Sequence, residues 1–342
     1  MKVDLIVETN LTPDQIAEFG QIAEARGIHG IWTCDYFAHW DPFIALVPLA
    51  QATSKIRIGA LAVSPFEMHP LKITNGLLSL NEISKGRAQV ALGAGEGNLD
   101  AMGLKTPKKI VAAIREATEI VRGAAHGELS ESGYKGEFFE VNYPCAYDWL
   151  TAQPPLVYVT AYRHMMMRLG GRVGDGVFIG CTPTEIIEPA MENVRIGESR
   201  RADGMSELHT TAYWAWHVKA DRDAAYRESR KELPWRGRKL DAELVSLFVS
   251  DAETQQVTEN FDQFVQAWFD DSDNVPNVPL KTRNTLCDGM TSTGGIEDLD
   301  REIERFRKFK AAGLDEIAFR LHQDPMEALD IITEHVLPEL ND

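Results

Sequence analysis

Arg87-Ala88-Gln89-Val90-Ala91-Leu92-Gly93-Ala94-Gly95-Glu96-Gly97 reads as a buried strand that runs into glycines and then delivers one carboxylate. A continuous apolar run closed by a glycine cluster suits a parallel strand covered on both faces. The glycines let another backbone or a flat ligand come close, because no Cβ stands in the way. A lone charge at the C-terminal end of such a strand sits where α/β barrels place their chemistry. Glu96 is therefore the first catalytic candidate, with Gly95 beside it as a surface for a ligand. A glycine-rich turn carrying a solvated glutamate is the competing reading.

Working outward, strands and helices alternate from the first residues. Strands are predicted at Val3 to Glu8, Gly30 to Tyr36, Ile56 to Val63 and Arg87 to Gly95, then Leu156 to Thr160, Gly176 to Gly180, Thr210 to Val218 and Leu314 to Leu321. Thr12-Pro13 opens the first helix with a cap residue and a proline in the first turn, and Gly27 suits its end. Further helices are expected from about Asp41-Pro42 to Thr53, from His69-Pro70, from about Pro107 to Arg122, and from Met326 to Leu337. Eight strands alternating with helices favour a (β/α)8 TIM barrel, an α/β fold, over an open doubly wound sheet. No G-x-G-x-x-G opens the first helix, which counts against a Rossmann domain. We expect one domain over residues 1–342, with insertions at about 124–155 and 221–295 that cover the C-terminal mouth. The first insertion contains a short hairpin at Tyr134 to Val141. The second holds at least two helical stretches divided by the acidic loop Asp270 to Asn274.

Composition narrows the function. The chain has 342 residues, 44% of them hydrophobic, enough for a large core. A net charge of −17 with no long basic run argues against nucleic acid as a partner. Cys34, Cys145, Cys181 and Cys287 are isolated, without zinc-like spacing, and no apolar run approaches membrane-spanning length. A soluble cytoplasmic protein is the expectation, with no membrane partner. No H-x-H, HExxH, P-loop or G-x-S-x-G is present, so no metal is implied.

The chemistry-bearing residues fall at predicted strand ends. The second strand leads into Asp35-Tyr36-Phe37-Ala38-His39-Trp40, an acid, a phenol, an imidazole and an indole within one short loop. Each has a structural reading, Asp35 as an acceptor for backbone and Trp40 as core filler. The third strand carries the small residues Gly59-Ala60-Leu61-Ala62, which let backbone pack on an aromatic ring system. The fifth leads into Thr160-Ala161-Tyr162-Arg163-His164 at a helix start, where free N–H groups and two basic side chains suit a phosphate. These residues reach a barrel enzyme with an acid and aromatics at a cofactor-sized mouth, acting on a small-molecule substrate.

The stretches Trp32-Thr33-Cys34-Asp35-Tyr36-Phe37, Ala50 to Gly59, Ser84-Lys85-Gly86-Arg87, Gly171 to Gly176 and Ala311 to Glu316 occur in an order that resembles the bacterial luciferase-like superfamily. Within it, the chain resembles the oxidoreductases that use the deazaflavin coenzyme F420. The resemblance covers nearly the whole sequence. It implies hydride transfer between F420 and a carbonyl, alcohol or activated double bond. Glu96 or Tyr36 would then move the proton, and Trp40 would wall the substrate side. Asp35, Leu61, Ala62 and Gly95 would meet the ring, and Thr160, Ala161, Arg163 and His164 the phosphate of the cofactor tail. It also implies a non-prolyl cis peptide at Leu61-Ala62 and a homodimer. Tyr36 stands where the family's histidine is usual, and Tyr162-Arg163-His164 replaces the usual Ser-Gly-Pro. Two alternatives stay open: an FMN-dependent monooxygenase of the same superfamily, and a catalytically silent flavin-binding relative.

Overall fold

The computed structural model describes residues 1–8, 10–236 and 240–341, without the side chains of Glu96 and Asn341. Parallel strands alternate with helices in the order of a (β/α)8 TIM barrel. The described residues form two compact units, one of residues 2–179 and 190–211, the other of Met1, 180–189 and 212–342.

In the first unit, β1 (Lys2–Val7), β2 (Gly30–Cys34), β3 (Arg57–Val63), β4 (Ala88–Leu92), β7 (Leu156–Ala161) and β8 (Gly176–Gly180) lie side by side in that order. Neighbours pair in parallel, with Ile31 opposite Ile58 and Val90 opposite Val157. Every residue of β2, β4 and β8 is buried, as continuous apolar runs in parallel sheets require. Their packing is set by one large ring against missing side chains. Trp32 meets Tyr158 and Phe178 edge to face, at centroid distances of 5.4 and 5.0 Å. A Cβ on Gly59 would stand 2.1 Å from the Trp32 ring, so glycine at that point of β3 is what lets the indole lie down. The indole N–H donates to Asp4 Oδ2 at 2.7 Å, and His29 Nδ1 lies 2.9 Å from Asp4 Oδ1. That buried carboxylate thus joins β1 to the start of β2.

Local signals start several helices. Thr12 caps the helix Pro13–Ala25 in a reciprocal capping box with Gln15, and His69 caps Pro70–Ile83. Other expectations shift, and the second strand, expected to reach Tyr36, stops at Cys34. The predicted helix from Asp41 to Thr53 is two short ones, Pro42–Ala45 and Val47–Ala52, joined at Leu46. Pro48 lacks the N–H that would carry one ladder through, and it sits in the first turn of the second helix. The helix expected from Pro107 runs Ile110–Ala125, because its apolar face begins at Ile110. The strand expected to reach Gly95 stops at Leu92, and a helix Glu96–Ala101 follows that propensity did not announce. The hairpin appears as β5 (Tyr134–Lys135) against antiparallel β6 (Glu140–Val141). Glu116 anchors it by accepting from the backbone N–H groups of Glu137, Phe138 and Phe139.

In the second unit, most of β9 (His209–Val218), β10 (Ser292–Gly294) and β11 (Glu316–Arg320) form the sheet, and β10 was not predicted. Among the described residues, helices Arg222–Glu232, Ala242–Val245, Asp251–Glu259, Phe261–Phe269 and Leu280–Met290 and the short turn Leu233–Trp235 lie in the long second insertion, around Leu233, Val257, Phe264 and Leu286. Among the described residues no helix is long and apolar enough to cross a membrane.

Candidate active site

The ends of β2, β3, β4 and β7 converge through backbone contacts. The peptide bond between Leu61 and Ala62 is cis. It coincides with a break in the β3–β4 register, where Leu61 faces Ala91 and Val63 already faces Leu92. The Asp35 N–H donates to Leu61 O at 2.9 Å, tying the first loop residue after β2 to this bond. Beyond β4, a Cβ on Gly93 would stand 2.5 Å from Thr160 Oγ1 and 2.9 Å from the Ala62 Cβ. Only glycine fits there, and its absence of side chain brings Ala62, Gly93 and Thr160 together. The Thr160 hydroxyl donates to Leu92 O at 3.2 Å, holding β7 against β4. Gly95 has φ of +67°, a left-handed conformation that glycine adopts without a clash. The Glu96 backbone opens the next helix; its side chain lies outside the described residues.

The same region holds a carboxylate that sequence reading missed. Glu67, in the loop after β3, accepts from Asn98 Nδ2 at 3.1 Å through Oε2. The same amide donates to the Asp35 backbone carbonyl at 3.2 Å. Burial, then the negative charges of Glu67 and Asp41, push the Asp35 carboxyl up to about 7. Burial also raises Glu67, opposed by the Asn98 hydrogen bond. No local pattern marks Glu67; its one signal is a single acid in a short proline-bounded loop.

Tyr36 and Trp40 follow β2, and Arg163 and His164 follow β7. Tyr36 is 37% exposed, its ring 5.8 Å from His39, and Trp40 is 48% exposed. Both present aromatic surface to solvent, as a wall for a ligand would. Arg163 and His164 stand at the start of the helix His164–Val173, exposed, with Ala161 buried at the end of β7. No side chain caps that helix, so its first N–H groups are open to an anion. This donor set fits a planar ring over the small residues and an anionic tail at the helix start.

A different cluster, in the second unit, has metal-like residue types: His217, Glu228 and His322. Its members are already tied into a hydrogen-bonded network. His217 Nδ1 is 2.8 Å from Glu228 Oε1, Lys219 Nζ is 3.1 Å from Glu228 Oε2, and Arg236 Nη2 is 2.7 Å from His322 Nε2. Burial holds both histidines below their ordinary range, so the rings are neutral members of an ion-pair network.

The sequence model described as luciferase-like monooxygenase matches residues 2–271. A 5,10-methylenetetrahydromethanopterin reductase of Archaeoglobus fulgidus is 24% identical over 338 residues, covering 95% of this chain and 96% of that one. An F420-dependent glucose-6-phosphate dehydrogenase of Amycolatopsis mediterranei is 24% identical over 96% of this chain and 95% of its own. The structure of the coenzyme F420 dependent tetrahydromethanopterin reductase from Methanopyrus kandleri superposes with a TM-score of 0.79 at 20% identity, covering 99% of both chains.

Proposed function

The chain belongs to the luciferase-like monooxygenase family, and we propose that it is an F420-dependent oxidoreductase, transferring a hydride between the deazaflavin and a carbonyl, alcohol or activated double bond. The observation that carries this reading is the pairing of two sub-sites in one unit. One is the small-residue surface of Ala62, Gly93 and Thr160 beside the cis bond; the other is the uncapped helix start with Arg163 and His164. Similarity along nearly the whole chain to F420-dependent enzymes supports the choice of cofactor. F420, when bound, supplies two-electron hydride chemistry.

The protein's own residues then have definable tasks. Leu61, Ala62 and Gly95 offer backbone to the ring, and Asp35 a carboxyl beside it. Thr160, Ala161, Arg163 and His164 hold the phosphate. Tyr36 and Trp40 shield the substrate face, and Glu96 or Tyr36 exchanges the proton that accompanies the hydride. Titration of the apoprotein with F420 and, separately, with FMN tests the reading. Selective F420 binding is expected; selective FMN binding with oxygen-consuming turnover would overturn it. In the loaded enzyme Glu96→Gln is expected to lower kcat with little change in F420 affinity, and unchanged turnover would remove Glu96 from the proton role.

A further inference from the structure

The helix Glu96–Ala101 has little of its own to hold it to the barrel. It opens on the left-handed Gly95 with no side-chain cap. A Cβ on Gly97 would meet nothing within 4 Å, so that face is open. Leu99 is buried, and its N–H donates to Gly95 O at 2.9 Å. A helix of six residues is not stable by itself, and one apolar anchor leaves it free to rock about the point of contact. Asn98 removes that freedom. It is buried, and its amide nitrogen donates to Glu67 Oε2 at 3.1 Å and to the Asp35 backbone carbonyl at 3.2 Å. Both acceptors belong to segments already fixed elsewhere. Ser64 ties the loop after β3 to the end of β4, its hydroxyl donating to Ala94 O at 2.9 Å. The Asp35 N–H ties the loop after β2 to Leu61 O beside the cis bond. Two donors on one planar nitrogen, directed at two loops, set an angle as well as a contact. Among side chains of this length only asparagine does so: aspartate has no donor, serine and threonine have one, and glutamine is a methylene longer.

We propose that Asn98 is a positioning residue of the cofactor site. Its amide sets the helix Glu96–Ala101 against the loop after β2, so that the Gly95–Glu96 backbone and the Asp35–Tyr36 backbone keep their spacing before any ligand arrives. A site ordered in advance binds more tightly, because the ligand does not have to order it. The proposal rests on the F420 reading for what the ligand is; the fastening itself belongs to the apoprotein.

The test combines amide hydrogen exchange of the apoprotein over residues 94–104 with a fluorescence titration by F420. In Asn98→Ala, exchange over this segment is expected to quicken about tenfold and F420 affinity of the folded protein to weaken about tenfold. Asn98→Asp keeps the shape and removes both donors, and should weaken binding as much. Adding Glu67→Gln to Asn98→Asp remakes the helix-to-loop bond with donor and acceptor exchanged, at the original net charge, and should bring affinity back to within about threefold. A lower urea midpoint with unchanged affinity in Asn98→Ala would mean a structural role alone and would overturn the proposal. So would unchanged exchange over residues 94–104, or a double variant that binds no better than Asn98→Asp. If Asn98→Ala does not fold, the comparison of Asn98→Asp with the double variant decides. Binding of FMN in place of F420 by the unaltered protein defeats the cofactor reading separately; the exchange, read without ligand, and the same titrations with FMN then decide the role of Asn98.

Discussion

Replacing Arg87 by methionine separates what holds this protein together from what it does. The Arg87 guanidinium donates from Nε to Ser84 O at 2.8 Å, and from Nη1 to Ile56 O at 2.8 Å and Thr53 Oγ1 at 3.0 Å. From Nη2 it donates to Ala50 O at 2.7 Å and Thr53 O at 3.0 Å. All five N–H groups are used, and they tie the ends of two helices to the start of β3 at the entrance of β4. Glu24 reinforces the knot by accepting from the N–H groups of Ser54, Lys55 and Ile56. Methionine preserves the apolar stem and removes every donor. Hydrogen bonds to a charged donor contribute about 1.5–3 kcal/mol each, but five in full would exceed what one side chain delivers in a marginally stable protein. Arg87 is half-buried, so water replaces some of the lost bonds, and a destabilisation of about 3 kcal/mol is expected. With a urea slope of about 3 kcal/mol/M, the midpoint falls by about 1 M. The knot lies at the N-terminal ends of the strands, opposite the candidate site, so F420 affinity of the folded variant stays within about twofold. A midpoint shift below about 0.3 M would refute the energetic reasoning. Loss of F420 binding in a fully folded variant would refute the division between the two ends.

Three further substitutions probe the site and its frame. Gly93→Ala forces a Cβ against Thr160 and Ala62 and is expected to destabilise by about 1–3 kcal/mol. Its F420 affinity should weaken about tenfold in a fluorescence titration, and unchanged affinity would remove this surface from the ring site. Asp35 binds its proton more tightly folded than unfolded, so the associated stability is full below its ordinary 3.8 and is lost as pH rises towards about 7. The unfolding free energy of the unaltered protein, minus that of Asp35→Asn, should fall over that window; a flat difference would contradict the burial and charge argument. Asp4→Ala strips the acceptor from both Trp32 and His29 and should cost about 2–4 kcal/mol by urea unfolding, with a smaller loss meaning that water reaches the indole N–H.

Much of the architecture is local, and for that reason the sequence alone determined it. Apolar runs such as Gly30 to Cys34 and Ala88 to Leu92 specify strands buried on both faces wherever they occur. Thr12-Pro13 and His69-Pro70 start helices by hydrogen bonds that span two or three residues. The alternation of these elements fixed the fold class, and strand ends named Asp35, Leu61, Ala62, Gly95 and Thr160 as candidates. The helix Glu96–Ala101 was not legible, because Gly97 and its polar neighbours favour no helix in isolation. Burial of Leu99 and the reach of Asn98 to Glu67 and Asp35 hold it instead. Glu67 was equally silent: its partner Asn98 lies 31 residues on, and Asn98 reaches back 63 residues to Asp35. A charge becomes informative only when its neighbours are known, and those neighbours come from three different strand ends. Tertiary structure alone raises the Asp35 carboxyl, since that depends on burial and on like charge at close range.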